Sequence, residues 1–258
     1  MRKNVFTKIM VCCGAFAVLT GLVWAGDKLS REAEARFASA EISSRPQRIQ
    51  VALDAGHGGM DGGCVSVDGT PEKGINLDIA LTERELLTVM GYEVTMTRED
   101  DRSVYDEGVT GLAKQKQSDM KNRLGVFDSV DGFALSVHQN QFTDERFSGA
   151  QMFYSRRNAE GERLAAALQK QFVTLLQPDN ERETKPVDDE LFLLDKTDTP
   201  AVMAECGFLS NPDEAALLES EDYRKKVAFT IMTGALVYSG GDKVQYTEPV
   251  TTSEEVDM

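Results

Sequence analysis

Apolar residues recur along this chain with two different periods, and the switches between them predict its elements. The run Ile49-Gln50-Val51-Ala52-Leu53 is of β type and stops abruptly in Gly56-His57-Gly58-Gly59. From Ile75 through Leu77, Ile79, Leu81 and Leu86-Leu87 the spacing becomes helical and ends at Gly91, with Glu72 just before the first turn. Residues 92–97 alternate like a strand and 98–118 are polar and glycine-bearing. Residues 120–130 suit an amphipathic helix capped by Ser118 or Asp119. Buried strands are expected at Phe133-Ala134-Leu135-Ser136-Val137, Gln151-Met152-Phe153-Tyr154 and Ala201-Val202-Met203-Ala204, and helices over 161–176, after Asn211-Pro212 and over 223–238. Leu191-Phe192-Leu193-Leu194 is short and apolar. Strands alternating with helices predict an α/β fold, a largely parallel twisted sheet with helices on both faces, in a single catalytic domain.

Outside residues 48–241 the pattern changes. Residues 1–8 carry Arg2, Lys3 and Lys8 and no acid, and the 17 residues 9–25 carry no charge. A basic flank before an uncharged apolar run is an export pattern. Its length suits a cleaved signal peptide and an N-terminal membrane anchor equally, so 1–26 is expected to be one of the two. Either leaves the remainder outside the cytoplasm. Residues 27–47 read as a stalk and 242–258 as an acidic tail. The formal charge of −15 without clustered Lys and Arg excludes nucleic acid as a partner. Of the four cysteines, Cys12 and Cys13 lie in the apolar run, so this is no disulfide scaffold, and a Cys64–Cys206 bridge is left open.

Three strand ends display polar groups toward what should be one edge: His57, His138 and Glu205. Ligand sites of open α/β sheets lie at that edge. A catalytic zinc site takes three protein ligands and keeps one position open, and two histidines with a carboxylate form a recognised set. His57, Glu72 and His138 are the candidate ligands, and Glu205 the candidate base. Each also has a plainer reading. A histidine after a strand is often a hydrogen-bonded structural residue, and an acid near a helix N-terminus is favoured by the dipole alone. Glu205 differs, because an acid directly after Ala-Val-Met-Ala in a buried strand is costly unless paired or used. Asp54 and Asp61 suit loop-ordering hydrogen bonds better than ligation, and Arg98, Arg123 and Asn140 suit structural bonds better than substrate contacts. Cys206 neighbours Glu205 and so faces the core if Glu205 faces the cleft, which argues against a nucleophile. The glycine loop lacks the Lys-Ser/Thr ending of a phosphate-binding loop.

Several separated stretches then fall in register with one family. Leu53-Asp54-Ala55-Gly56-His57-Gly58-Gly59, Glu72-Lys73-Gly74-Ile75-Asn76-Leu77, Thr97-Arg98, Ser136-Val137-His138-Gln139-Asn140 and Glu205-Cys206-Gly207-Phe208-Leu209-Ser210-Asn211 resemble the zinc-dependent N-acetylmuramoyl-L-alanine amidases of the Amidase_3 family. The resemblance implies Zn2+ held by His57, Glu72 and His138, Glu205 as catalytic acid/base, and peptidoglycan as substrate, cleaved between the muramic lactyl group and L-alanine. Gly149-Ala150-Gln151-Met152-Phe153-Tyr154-Ser155 and Leu191-Phe192-Leu193-Leu194-Asp195-Lys196 are similar to the germination-specific, spore-cortex members. That likeness implies a cell-wall or cortex location, muramic lactam formation together with a muramic acid deacetylase, and an accessory or activator protein. Ala55 stands where proline is usual, and Asp128 and Gln141 where the family more often has asparagine and alanine; none removes a ligand. The residues leave two other classes open, a zinc peptidase or amidohydrolase acting on another amide and a non-catalytic wall-binding protein of the same fold.

Overall fold

A computed structural model describes Lys28, Arg31 and residues 48–240. The expected signal or anchor, the stalk apart from Lys28 and Arg31, and the acidic tail lie outside the described residues. Strands β1 (Gln50–Ala55), β2 (Glu93–Met96), β3 (Gly132–Asn140), β4 (Gln151–Ser155), β5 (Lys185–Val187) and β6 (Ala201–Phe208) form one sheet in the order β2-β1-β3-β6-β4-β5. The first four in that order are mutually parallel; β4 runs antiparallel to β6 and parallel to β5. The sheet is therefore largely parallel, with two reversed strands at one edge.

Side-chain alternation sorts the strands onto two cores. Val51, Leu53, Phe133, Leu135 and Val202 face helices α1 (Glu72–Val89), α3 (Ala159–Gln171) and α6 (Glu221–Gly240), whose Ile79, Leu168 and Ile231 are fully buried against them. Ala52, Ala134 and Ala201 face α2 (Leu112–Phe127) and the short α4 (Phe192–Lys196), and pack with Phe127, Leu193 and Leu194. Burial of both faces explains why these strands read as continuous apolar runs. Helix α5 (Pro212–Glu219) starts as expected, with the Asn211 side chain accepting from Glu214 N and proline in the first turn.

Several boundaries differ from the expectation, each for a physical reason. Strand β3 continues through His138 to Asn140 and β6 continues past Glu205 to Phe208, because ladder pairing carries on after the apolar run stops. Glu72 is the first residue of α1 rather than the residue before it. Helix α2 begins at Leu112, with Gly111 at its cap, so Ser118 and Asp119 are interior and do not cap it. Their side chains hold the preceding loop instead: Ser118 Oγ donates to Asp106 Oδ2 at 2.8 Å, and Asp119 Oδ1 accepts from Val104 N at 2.7 Å. A helix whose first turns face a polar loop carries no apolar period there.

Glu83 lies inside α1, fully buried, and among the described residues neither of its carboxyl oxygens has a hydrogen-bond partner. Burial pushes its carboxyl well above the usual carboxylate range. The unfolded chain gives up this proton above the ordinary value of about 4.3, whereas the folded chain keeps it, so Glu83 lowers stability progressively as pH rises beyond that value. Glu83→Gln mimics the neutral acid. In urea unfolding it should match the parent near pH 4 and become the more stable of the two by about pH 8; a difference that does not change with pH would contradict this.

Candidate metal centre

The site is built where β1 and β3 leave the core. Gly56 follows β1, and its N–H donates to Val137 O at 3.1 Å. A Cβ on Gly56 would stand 2.3 Å from the His138 ring, so the absence of a side chain there is what admits the imidazole. His57, next in the chain, has φ of 61°, a left-handed conformation uncommon outside glycine. Reciprocal backbone bonds between Gly58 and Asp61, at 2.9 and 3.1 Å, close the loop behind it.

Two buried arginines brace this loop from beneath. Arg123 donates to Ala55 O at 2.9 Å and to His57 O at 2.6 Å, and pairs with Asp54 and with Asp119. Arg98 donates to Ala55 O at 2.8 Å, Gly56 O at 2.9 Å and Lys73 O at 2.8 Å, tying the loop to α1. Asp54 also accepts from Thr97 Oγ1 at 2.7 Å and Ser136 Oγ at 2.6 Å. Burial opposes its charge, but Arg123 and then His138 outweigh that and hold its carboxyl below the usual range. Asp54, Arg98 and Arg123 thus have the structural roles that the plainer reading gave them. Asn140 does too, its Oδ1 accepting from Gln141 N at 2.8 Å.

Glu72 is the centre of the constellation. Its Oε1 lies 3.0 Å from His138 Nδ1 and its Oε2 lies 3.2 Å from His57 Nε2. Cys64 N at 2.9 Å donates to Oε2, and Asn76 Nδ2 at 2.9 Å and Gln139 N at 3.0 Å donate to Oε1. Burial penalises its charge, yet the hydrogen bonds from His138 and then His57 hold the carboxyl far below the usual range, so it is an anion although only 2% exposed. Gly63, at φ of 69°, passes so close that a Cβ would lie 2.4 Å from Glu72 Oε2. The two imidazole centroids are 4.9 Å apart at 76°. One donor atom from each of His57, Glu72 and His138 falls within 4.8 Å of the others.

Asp61 stands behind His57, its Oδ1 3.3 Å from Nδ1, and so directs the other ring nitrogen, Nε2, toward Glu72. Glu205 is the register partner of His138 on β6, and in-register neighbours project from the same face. Its Oε2 is buried and has no hydrogen-bond partner among the described residues. Burial, reinforced by the Glu72 charge and opposed by His138 and His57, pushes its carboxyl up to about 7. Cys206 faces the opposite core, fully buried, and both it and Cys64 are free thiols, so the bridge left open by sequence is not formed. Sequence reasoning missed Asn76 and Gln139 as donors to Glu72. The signal for Asn76 was its place four residues along the same helix face.

The family model described as N-acetylmuramoyl-L-alanine amidase matches residues 51–236, which include all four of these side chains. The chain belongs to this family. A germination-specific N-acetylmuramoyl-L-alanine amidase of Bacillus subtilis is 35% identical over 189 residues, covering 73% of this chain and 78% of the relative. Among solved structures, the CwlD amidase from Clostridioides difficile, in complex with the GerS lipoprotein, is 37% identical with a TM-score of 0.72 and covers 75% of this chain and 99% of that one. The catalytic domain of the amidase CwlV from Bacillus (Paenibacillus) polymyxa is 28% identical with a TM-score of 0.61, over 74% of this chain and 98% of that one. The fold shared with these amidases is the single-domain, mostly parallel sheet described above.

Removing one partner of the Asp54–Arg123 pair leaves a buried charge uncompensated. Arg123→Met should lower unfolding free energy by about 3–5 kcal/mol. Lys116→Met should change it by no more than about 1 kcal/mol, because the exposed Lys116 meets Asp61 only at 3.5 Å. Urea denaturation of both variants checks the contrast, and similar small losses in the two would contradict the bracing role.

Proposed function

We propose that the chain is a zinc-dependent N-acetylmuramoyl-L-alanine amidase, hydrolysing the amide between the lactyl group of N-acetylmuramic acid and L-alanine of the peptidoglycan stem peptide. The observation that carries this reading is the convergence of His57 Nε2, His138 Nδ1 and the Glu72 carboxylate beside Glu205. Two imidazoles and one ionised carboxylate fit Zn2+ in ligand type and charge, and their mutual spacing lets one ion meet all three. An ion held by these residues would supply polarisation of the scissile carbonyl and a pKa for water lowered toward about 7.

The remaining steps belong to the chain's own residues. Asp61, beside Nδ1, would keep that nitrogen protonated when Nε2 of His57 gives up its bond to Glu72 and ligates. Glu205 accepts the proton of the attacking water and returns it to the departing nitrogen of L-alanine. A carboxyl held at about 7 can do both near neutral pH, whereas one in the ordinary range would be a poor proton donor there.

The name of the Bacillus subtilis relative and the likeness to CwlD support spore-cortex peptidoglycan as the physiological substrate. On this reading, stem-peptide removal prepares muramic acid for lactam formation by a deacetylase in the same pathway. The complex in which CwlD was solved supports an accessory protein for this chain as well. Residues 1–26 deliver the catalytic domain 48–241 across the membrane, with 27–47 as a stalk and 242–258 as an acidic tail. Among the described residues no helix is long and apolar enough to cross a membrane.

Digestion of purified peptidoglycan should release peptides with a free N-terminal L-alanine and leave lactyl carboxyls on the glycan. New cleavage within the peptides instead would make the chain a peptidase. Glu205→Gln should lower turnover by about 100-fold or more while the zinc content stays at the parent value. In the parent, kcat/KM should rise with pH as Glu205 loses its proton, and this limb should be absent from whatever activity the variant keeps. Turnover near the parent level would remove Glu205 from the mechanism.

A further inference from the structure

The face of the sheet that carries His138 and Glu205 continues past them as a strip of half-buried side chains. Glu205 on β6 pairs with Gln151 on β4; one row along, Met203 pairs with Phe153, and Phe153 with Lys185 on β5. Partners in register project from one face, so these side chains run without a break from the metal ligands to the reversed edge of the sheet. The short α4 leaves Met203, Glu205, Gln151 and Phe153 only partly covered and Lys185 exposed.

At the far end of the strip stand two cations, each resting on aromatic rings. The Arg182 guanidinium lies 4.5 Å from the Phe208 ring centroid and 5.6 Å from that of Phe147, and Lys185 Nζ lies 5.4 Å from that of Phe153. Arg182 Nε donates to Ser148 O at 2.6 Å and its Nη1 to Gln151 Oε1 at 3.3 Å, while Gln151 Nε2 donates to Glu183 O at 2.8 Å. The guanidinium is thus oriented entirely by neutral acceptors and rings. Among the described residues neither Arg182 nor Lys185 forms an ion pair, although the chain has 43 acidic residues against 28 basic ones. Glu214 feels the Arg182 charge, but its carboxylate is taken up by the N–H groups of Gly149 and Phe208 at 2.9 and 2.8 Å. Glu190 feels Lys185 and accepts from Asp188 N.

The other side of the centre has a different character. A cavity of about 210 Å³ there is lined by the apolar Met60 and Leu112 and by Tyr105, and its one cation, Lys116, is outnumbered by the acids Asp61 and Asp119. An amidase substrate also has two unlike sides, an uncharged sugar and a peptide bearing free carboxylates.

We infer that the stem peptide runs from the metal ligands across β6 and β4, and that Arg182 and Lys185 read a carboxylate on it, as specificity-determining residues. The inference rests on the amidase reading. Two interstrand steps, about 10 Å, separate His138 from Gln151, which Arg182 meets, and a third, about 15 Å in all, reaches the β5 strand of Lys185, a span that an extended peptide covers in about three to five residues. The carboxylate recognised therefore lies about three to five residues beyond the scissile amide, and the sugar lies toward Met60 and Leu112.

The test compares muropeptides whose stem carboxylates are free with the same compounds amidated, using the full chain. The parent should have a KM about tenfold lower for the free carboxylates. Arg182→Gln and Lys185→Gln should each raise that KM severalfold with kcat little changed, and leave the KM of the amidated form alone. Arg182→Lys should fall between the parent and Arg182→Gln. Lys185 is exposed, so its variant carries the test even if Arg182→Gln fails to fold. Calorimetric titration with the free stem peptide and its amidated analogue reads the same preference without turnover. Charge-selective binding of the peptide without hydrolysis of any muropeptide would sink the amidase reading and leave this assignment standing. Hydrolysis with no preference for carboxylates, or equal losses on both forms in the variants, would overturn the assignment.

Discussion

One buried anion governs this structure. The Glu72 carboxylate, almost wholly removed from water, lies between two imidazoles and receives three further hydrogen bonds from Cys64, Asn76 and Gln139. An unpaired carboxylate there would be prohibitively unfavourable, so the fold has to supply positive or donor groups on every side. It does so from four separate places in the sequence: the glycine loop after β1, the start of α1, the end of β3 and the Cys64 turn. The position at the N-terminus of α1 adds the favourable end of the helix dipole. A divalent cation held by the same three side chains would satisfy the same electrostatic demand, so one arrangement serves folding and chemistry together.

Holding that arrangement requires backbone geometry that the strands alone do not provide. His57 has to leave the sheet in a left-handed conformation, and Gly56 and Gly63 have to lack side chains where the His138 ring and the Glu72 carboxylate pass. The buried Arg98 and Arg123 fix the loop through its carbonyl oxygens, and Asp54 balances Arg123. Charged groups beneath the loop therefore set the position of His57. Glu205 is the exception in this neighbourhood, an acid with an oxygen left unpartnered, and burial raises its pKa.

Much of this was legible in the sequence, because the site lies where the apolar runs stop. The apolar runs before His57, His138 and Glu205 marked three strands, and parallel strands bring their C-terminal ends to one edge. Glu72 could not be reached that way, since an acid opening a helix is ordinary; only the match of several motifs in order singled it out. The reversal of β4 and β5 was illegible, because strand direction leaves no trace in hydrophobic period. So was the interior placement of Ser118 and Asp119, whose capping chemistry is used on a loop rather than on their own helix. Arg182 lies in a polar stretch with no periodicity, and its place beside Gln151 emerges only from the register of β4 on β6.

The sheet's change of direction divides its surface in two. The parallel strands and their loops bring His57, Glu72 and His138 together, and the reversed pair extends the same face into a strip ending in two cations, so the cluster and the surface beside it come from different halves of one sheet. The claim beneath all of this is that His57, Glu72 and His138 together hold a single ion, and zinc binding to the metal-free full chain measures it most directly. Competition titration should give one zinc per chain in the parent and an affinity lower by about 100-fold or more in each of His57→Ala, Glu72→Ala and His138→Ala. A Glu72→Ala chain that binds one zinc as tightly as the parent would contradict it.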